Sequence, residues 1–322
     1  MRGTHRVSIG NKRVRFRFDV RRNITVVRGD SGTGKTTLYD LVAAHMREGA
    51  DSRVQLSCDR PCVALTDYDW RHQLAGFSNS IVFVDEGARY VPSEEFAAAV
   101  LGTDNYYVIF SREPLHQLPY SVNEIYAIKT SGRYHSLEPL YRPRVRHAYG
   151  TPSTVRANYE TLLTEDAKSG YEFYRKRFKQ TDIVCVSAQS NSGIYPWLRR
   201  HLERRVFVVA DGAAFGAEAG RVLALQESHA DSITICLPES FEWLLLSSGL
   251  VRNPELQSIL RSPADHIESR DHASWERFFS ALLTRETQGT AFAYSKARLA
   301  PAWILEQNAE QVMALIRDRN VR

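Results

Sequence analysis

Hydrophobic and polar positions alternate near the start of the chain. Val14, Phe16, Phe18 and Val20 interleave with Arg13, Arg15, Arg17 and Arg21. A period of two predicts a half-buried strand, apolar on one face and lined with guanidinium groups on the other. Largely apolar runs follow at 24–27, 81–84 and 105–110. Such runs are expected of strands buried on both faces. Residues 37–46 carry a helical pattern. Beyond residue 150 the pattern changes: strands at 159–164, 183–186, 206–210 and 233–237 alternate with helices at 167–178, 195–204 and 217–226. That alternation predicts a parallel sheet with helices on both faces. After residue 250 the pattern is helical. Trp275, Phe278, Phe279 and Leu282 share one helical face, and Val312, Leu315 and Ile316 another, as core stripes do.

Length and composition narrow the class. A chain of 322 residues fits about two domains. Its 43% hydrophobic and 25% charged content excludes disordered, collagen-like and coiled-coil classes. No apolar run approaches the roughly 18 residues of a membrane span, and the first residues lack the apolar segment of a signal peptide. Four cysteines (Cys58, Cys62, Cys185, Cys236) do not make a disulfide scaffold. A cytoplasmic protein without a membrane partner is the expectation. Charge sharpens the picture: residues 1–28 carry nine Lys or Arg and a single acid, Asp19, whereas the rest of the chain is slightly acidic. The arginine-lined strand face is either a solvated surface or a phosphate-binding stripe.

One motif carries definite chemistry. Gly29-Asp30-Ser31-Gly32-Thr33-Gly34-Lys35-Thr36, followed by Thr37, fits GxxxxGK[ST] between a strand and a helix. Glycine and small residues let successive backbone N–H groups converge on phosphate oxygens at the positive end of the helix. Lys35 would reach the β- and γ-phosphates, and the Thr36 hydroxyl would hold Mg²⁺. The apolar run 81–84 ends in Asp85 and Glu86; Asp85 would complete the Mg²⁺ shell, and Glu86 would act as general base on the attacking water. Loop and acidic pair together resemble the P-loop NTPases of the additional-strand class (Walker A and Walker B motifs), which implies hydrolysis of ATP. In that class the run 105–110 lies beside the Asp-Glu strand and presents a polar sensor to the γ-phosphate. Ser111 is the candidate, with Arg112 behind it. His116 is a further switch or a structural histidine. Arg142, Arg144 and Arg146 form a basic linker or supply an arginine finger in a homo-oligomer. No LSGGQ-like signature lies between Lys35 and Asp85, and Cys58 and Cys62 alone are too few for a structural zinc site.

Acids also end the strands of the second half. Glu165 and Asp166 follow the first, Asp211 the third, and Glu239 the fourth, with Glu242 one helical turn on. Over residues 159–246 the chain resembles a Toprim domain, the metal-binding fold of topoisomerases, primases and some nucleases. That family places a glutamate after its first strand, matched by Glu165, and an Asp-x-Asp pair after its third, of which Asp211 matches the first member. Ala213 occupies the second position. Glu165, Asp211 and Glu239 are the metal-ligand candidates, with Asp166 and Glu218 able to compensate. Helix capping by these acids is the competing role.

The expected architecture is therefore α/β in two domains: a P-loop NTPase sheet over 1–148, and a Toprim-like parallel sheet with a helical C-terminal extension over 149–322. The domain order resembles the ATPase–Toprim proteins of bacterial anti-phage systems and mobile elements. It implies ATP and Mg²⁺ as cofactors and nucleic acid, DNA or RNA, as partner of a second domain gated by nucleotide turnover. The alternative is a nucleotide-driven switch or scaffold whose degenerate second domain binds a protein. A small-molecule kinase is disfavoured by the Asp85-Glu86 pair and by the lack of an arginine-rich lid helix. The base, ATP or GTP, stays open.

Overall fold

The computed structural model describes residues 1–141 and 159–317. The expected junction at 148/149 and the arginines at 142, 144 and 146 lie outside the described residues. The chain is mixed α/β and divides into two compact units.

The first unit comprises Met1–Tyr141 and Arg261–Ser274. Its elements are β1 (His5–Gly10), β2 (Arg15–Val20), β3 (Ile24–Arg28), α1 (Lys35–Glu48), β4 (Gln55–Ser57), β5 (Cys62–Leu65), α2 (Trp70–Ala75), β6 (Ile81–Val84), α3 (Glu94–Leu101), β7 (Tyr106–Phe110), β8 (Ile125–Ser131) and β9 (Tyr134–Pro139). Nine strands form one sheet in the order β4-β1-β2-β9-β8-β3-β7-β6-β5. From β8 to β5 all neighbours are parallel, so β7 lies between β3 and β6. The rest of the sheet is built around the antiparallel pairs β1–β2, β1–β4 and β8–β9. The patterns explain this placement. In β2, Phe16, Phe18 and Val20 are buried while Arg17 and Asp19 are exposed, as a period of two requires. Every residue of β6 and β7 is buried, as befits strands flanked on both sides. Helix α1 buries Leu38, Leu41 and Val42, at positions i, i+3 and i+4, against the sheet.

The segment 261–274 joins this unit through hydrogen bonds that no local pattern announces. Gly3 N donates to Ala264 O at 2.7 Å, Ser269 N to Met1 O at 2.9 Å, and Asn23 Nδ2 to Ser269 O at 3.0 Å.

The second unit contains β10 (Thr161–Thr164), α4 (Ser169–Arg177), β11 (Val184–Ser187), α5 (Asn191–Arg200), β12 (Val206–Val209), α6 (Gly216–Ser228), β13 (Ile233–Cys236), α7 (Phe241–Ser247), α8 (Leu256–Arg261, its last residue counting with the first unit), α9 (Trp275–Thr287) and α10 (Glu306–Arg317). Its four strands are all parallel, in the order β11-β10-β12-β13. Parallel strands bring all their carboxyl ends to one edge, so Glu165 and Asp211 meet there despite 46 residues of separation. The predicted strands and helices stand at their places, except that α5 begins at Asn191 and ends at Arg200. The Ser190-Asn191-Ser192-Gly193 start reads locally as a turn, and Pro196 sits inside the helix. The apolar stripes face the core: Trp275, Phe279, Leu282, Val312 and Ile316 are buried, and Phe278 and Leu315 are half-buried.

Candidate functional site

In the first unit, the loop 29–34 links β3 to α1. Gly29, Gly32 and Gly34 hold φ of +144°, +82° and +100°, backbone conformations that L side chains resist. Helix α1 starts at Lys35 with no side-chain cap and no acid in its first turn. Its first N–H groups and the positive end of its dipole are left for an anion. Asp30, Ser31, Thr36 and Thr37 are exposed, and Thr33 Oγ1 donates to Asp30 O at 3.0 Å.

Lys35 is buried and folds back over the loop. Its Nζ donates to Gly29 O, and to Asp30 O at 2.9 Å, and lies 3.4 Å from Glu86 Oε2. The acidic pair at the end of β6 thus faces the phosphate loop. Asp85 Oδ1 is buried without a hydrogen-bond partner, while the other Glu86 oxygen pairs with Arg112 Nε. Ser111 does not take the place expected of a sensor: its hydroxyl donates to Glu113 O at 2.8 Å. Arg112 is the residue after β7 that reaches the acidic pair, and its length explains why. The residues fit a nucleotide with Mg²⁺. Lys35 and the uncapped α1 suit phosphate, and Asp85 Oδ1 and the Thr36 hydroxyl are oxygen donors of the kind that cation takes.

The second unit places five carboxylates around one cavity of about 340 Å³: Glu165, Asp166, Asp211, Glu242 and Glu276, with Lys296. Much of their capacity is spent on the fold. Glu165 Oε2 accepts from Asp211 N at 2.8 Å, and Asp211 Oδ1 from Phe241 N at 2.9 Å. Asp166 accepts from Lys168 N and Tyr171 N at 3.1 and 3.2 Å, capping α4. Glu242 Oε1 accepts from Tyr294 OH at 2.5 Å, and its buried Oε2 has no partner. Lys296 Nζ lies 2.9 Å from Glu276. Burial, and then the mutual repulsion of these acids, hold the Asp211 carboxyl well above its usual range. Burial likewise pushes Glu165 up to about 8, against the lowering effect of the Asp211 amide. Burial acts to lower the Lys296 ammonium, but Glu276, Glu242 and Asp211 together hold it above its ordinary value.

This arrangement is not a metal centre as it stands. Among the described residues no three His, Cys, Asp or Glu side chains are disposed to hold an ion. Glu239 does not line the cavity, Ala213 is buried, and Glu218 bonds Arg221. Glu276, Tyr294 and Lys296 escape sequence reasoning, since they come from α9 and the loop after it. Cys58 and Cys62 neighbour each other in the first unit.

No helix among the described residues is long and apolar enough to cross a membrane. No family model and no curated protein matches the chain.

Proposed function

We propose that the chain binds and hydrolyses ATP with Mg²⁺ at the loop 29–36, and that its nucleotide state gates the second unit, a domain that acts on or senses nucleic acid. The observation that carries this reading is the approach of Lys35 Nζ to Glu86 Oε2 at 3.4 Å, which sets the acidic pair of β6 against the phosphate loop across the intervening β7. A strand inserted between loop strand and acidic strand is the arrangement of the additional-strand P-loop class, and supports the same reading. On nucleotide binding Lys35 exchanges the carbonyls of Gly29 and Asp30 for phosphate oxygens. Thr36 and Asp85 would hold Mg²⁺, which neutralises charge on the β- and γ-phosphates when bound. Glu86, released by Lys35, accepts the proton of the attacking water.

Calorimetric titration with Mg·ATP and a phosphate-release assay test this. Lys35→Ala is expected to lose binding and turnover with its circular dichroism unchanged. Turnover equal to that of the parent chain would overturn the loop assignment.

A second reading, a scaffold whose second unit binds a protein partner without metal chemistry, is favoured by one observation. Glu165 and Asp211 are committed to backbone amides, and among the described residues no ion-holding group forms. Incubation of plasmid and single-stranded DNA with Mg²⁺ or Mn²⁺, with and without ATP, separates the two. Cutting that is lost in Asp211→Ala supports a nuclease; no cutting under any condition supports the scaffold.

A further inference from the structure

The arginine-lined face of β2 takes no part in the nucleotide chemistry, and the fold gives it neighbours that the sequence does not. Strand β9 pairs with β2 in register Arg15 to Tyr134, and on the other side β1 sets Gly10 beside Arg15 and Ser8 beside Arg17. Because Gly10 has no side chain, Arg15 lies across β1 and reaches Gln55 Oε1 of β4 at 2.5 Å. The turn before β9 adds Arg133, whose guanidinium stands 4.9 Å from the centroid of the Tyr134 ring and donates to its hydroxyl at 2.7 Å. Tyr134 is still 53% exposed, an unusual position for a large aromatic ring on an open sheet face. Arg133, Arg15 and Arg17 together draw its phenol below the ordinary range.

Charge distinguishes this patch. Arg6, Arg71 and Lys129 on the same unit each meet a carboxylate, in Asp19, Glu95 and Glu138. Arg15, Arg17 and Arg133 meet none among the described residues, so their field is directed outwards.

We propose that this face of β2 and β9 binds single-stranded nucleic acid, with Arg15, Arg17 and Arg133 on the phosphates and a base stacked on Tyr134. Arg15 and Arg17, two residues apart on a strand, stand about 7 Å from one another, the scale of one extended nucleotide. A sheet face with an exposed ring among arginines suits splayed bases, whereas a duplex keeps its bases stacked and offers the ring nothing. The inference rests on the preceding reading only for the class of partner, not for the nucleotide chemistry.

Fluorescence anisotropy of labelled oligothymidine with the full chain, over a series of salt concentrations, tests it. Arg15→Ala/Arg17→Ala is expected to lower the slope of log K against log salt by about 1.4, two phosphate contacts at roughly 0.7 each. Tyr134→Ala should weaken binding about tenfold with the slope unchanged. Two results would overturn the proposal: unchanged affinity and slope in these variants, or a duplex of equal length bound as tightly as the single strand. Mg·ATP titration of the same preparations keeps the two readings apart. Oligonucleotide variants retain ATP binding, and Lys35→Ala retains oligonucleotide binding. A failure of either site is therefore visible by itself.

Discussion

The carboxylate cavity of the second unit makes stability depend on pH in a direction opposite to that of most acidic residues. Burial pushes Glu165 up to about 8 from an ordinary 4.5, and Asp211 is held in the same direction. Between those two pH values the folded chain keeps a proton that the unfolded chain has released. Raising the pH therefore favours unfolding: the stabilisation is complete below about 4.5 and lost as pH climbs through about 8. One proton corresponds to about 1.4 kcal/mol per pH unit, so two units within that window cost on the order of 3 kcal/mol, or about 5–10 °C in Tm for a unit of this size. The assay is thermal unfolding in a constant-ionic-strength buffer series from weakly acidic to weakly alkaline pH. Glu165→Gln keeps a carbonyl to accept the Asp211 amide, now bonded at 2.8 Å, and removes one titrating group and its charge. It should be more stable than the parent chain at the alkaline end and show a shallower slope, and Glu165→Gln/Asp211→Asn should be flat. A parent chain with pH-independent stability across the window, or a double variant that keeps the full slope, would refute the reasoning.

Other outcomes follow from particular contacts. Ser111→Ala, which removes a hydroxyl bonded to Glu113 O, should keep phosphate release within about twofold and cost about 1 kcal/mol of stability. Arg112→Ala removes the residue that meets Glu86 and should lower kcat by about tenfold or more with little change in Tm, since its ion pair is exposed; the reverse order in steady-state assays would restore Ser111 as the sensor. Tyr294→Phe deletes the buried hydroxyl that bonds Glu242 and Ser169 and should cost about 1–3 kcal/mol in urea denaturation. Gly212→Ala would bring a Cβ within 2.9 Å of the carbonyl oxygens of Leu237 and Pro238, and should destabilise the unit by about 1–3 kcal/mol in the same assay.

Period and punctuation make much of this fold legible without coordinates. The short, largely apolar runs of β3, β6 and β7 read as buried strands, and the second unit alternates so regularly that its parallel sheet and the convergence of Glu165 with Asp211 follow from topology alone. The hairpin β8–β9 is harder to read, because burial along both strands is graded and neither shows a clean period of two. The segment 261–274 is illegible for another reason: it is held by long-range hydrogen bonds to Met1, Gly3 and Asn23, which leave no trace in the local hydrophobic pattern. At the loop 29–34 the local motif announces the conformation that the structure shows, with Gly29, Gly32 and Gly34 at positive φ. Strand-end position does not fix where a side chain points: Ser111 satisfies its hydroxyl two residues on, whereas Arg112 meets Glu86. Glu276 and Lys296 lie 65 and 85 residues beyond Asp211, and only tertiary packing brings them to it.

The same electrostatics decides between the two readings of the second unit. Five carboxylates share a cavity with Lys296, whose charge is already opposed by Glu276 at 2.9 Å. The remaining negative charge can be cancelled by protons or by a cation, and burial, which raises Glu165 and Asp211, favours protons. A cation able to enter would compete with those protons, so its effect must grow with pH. If Mg²⁺ raises Tm at the alkaline end of the series and not at the acidic end, and Glu165→Gln/Asp211→Asn abolishes that gain, the cavity rearranges into an ion site and phosphodiester chemistry becomes the better reading. If Mg²⁺ leaves Tm unchanged at every pH, the acids serve as capping and wiring groups for α4, α7 and β12, and the unit is a binding domain. Glu165, Asp166 and Asp211 each already serve a backbone amide, and this one observation points to the second outcome.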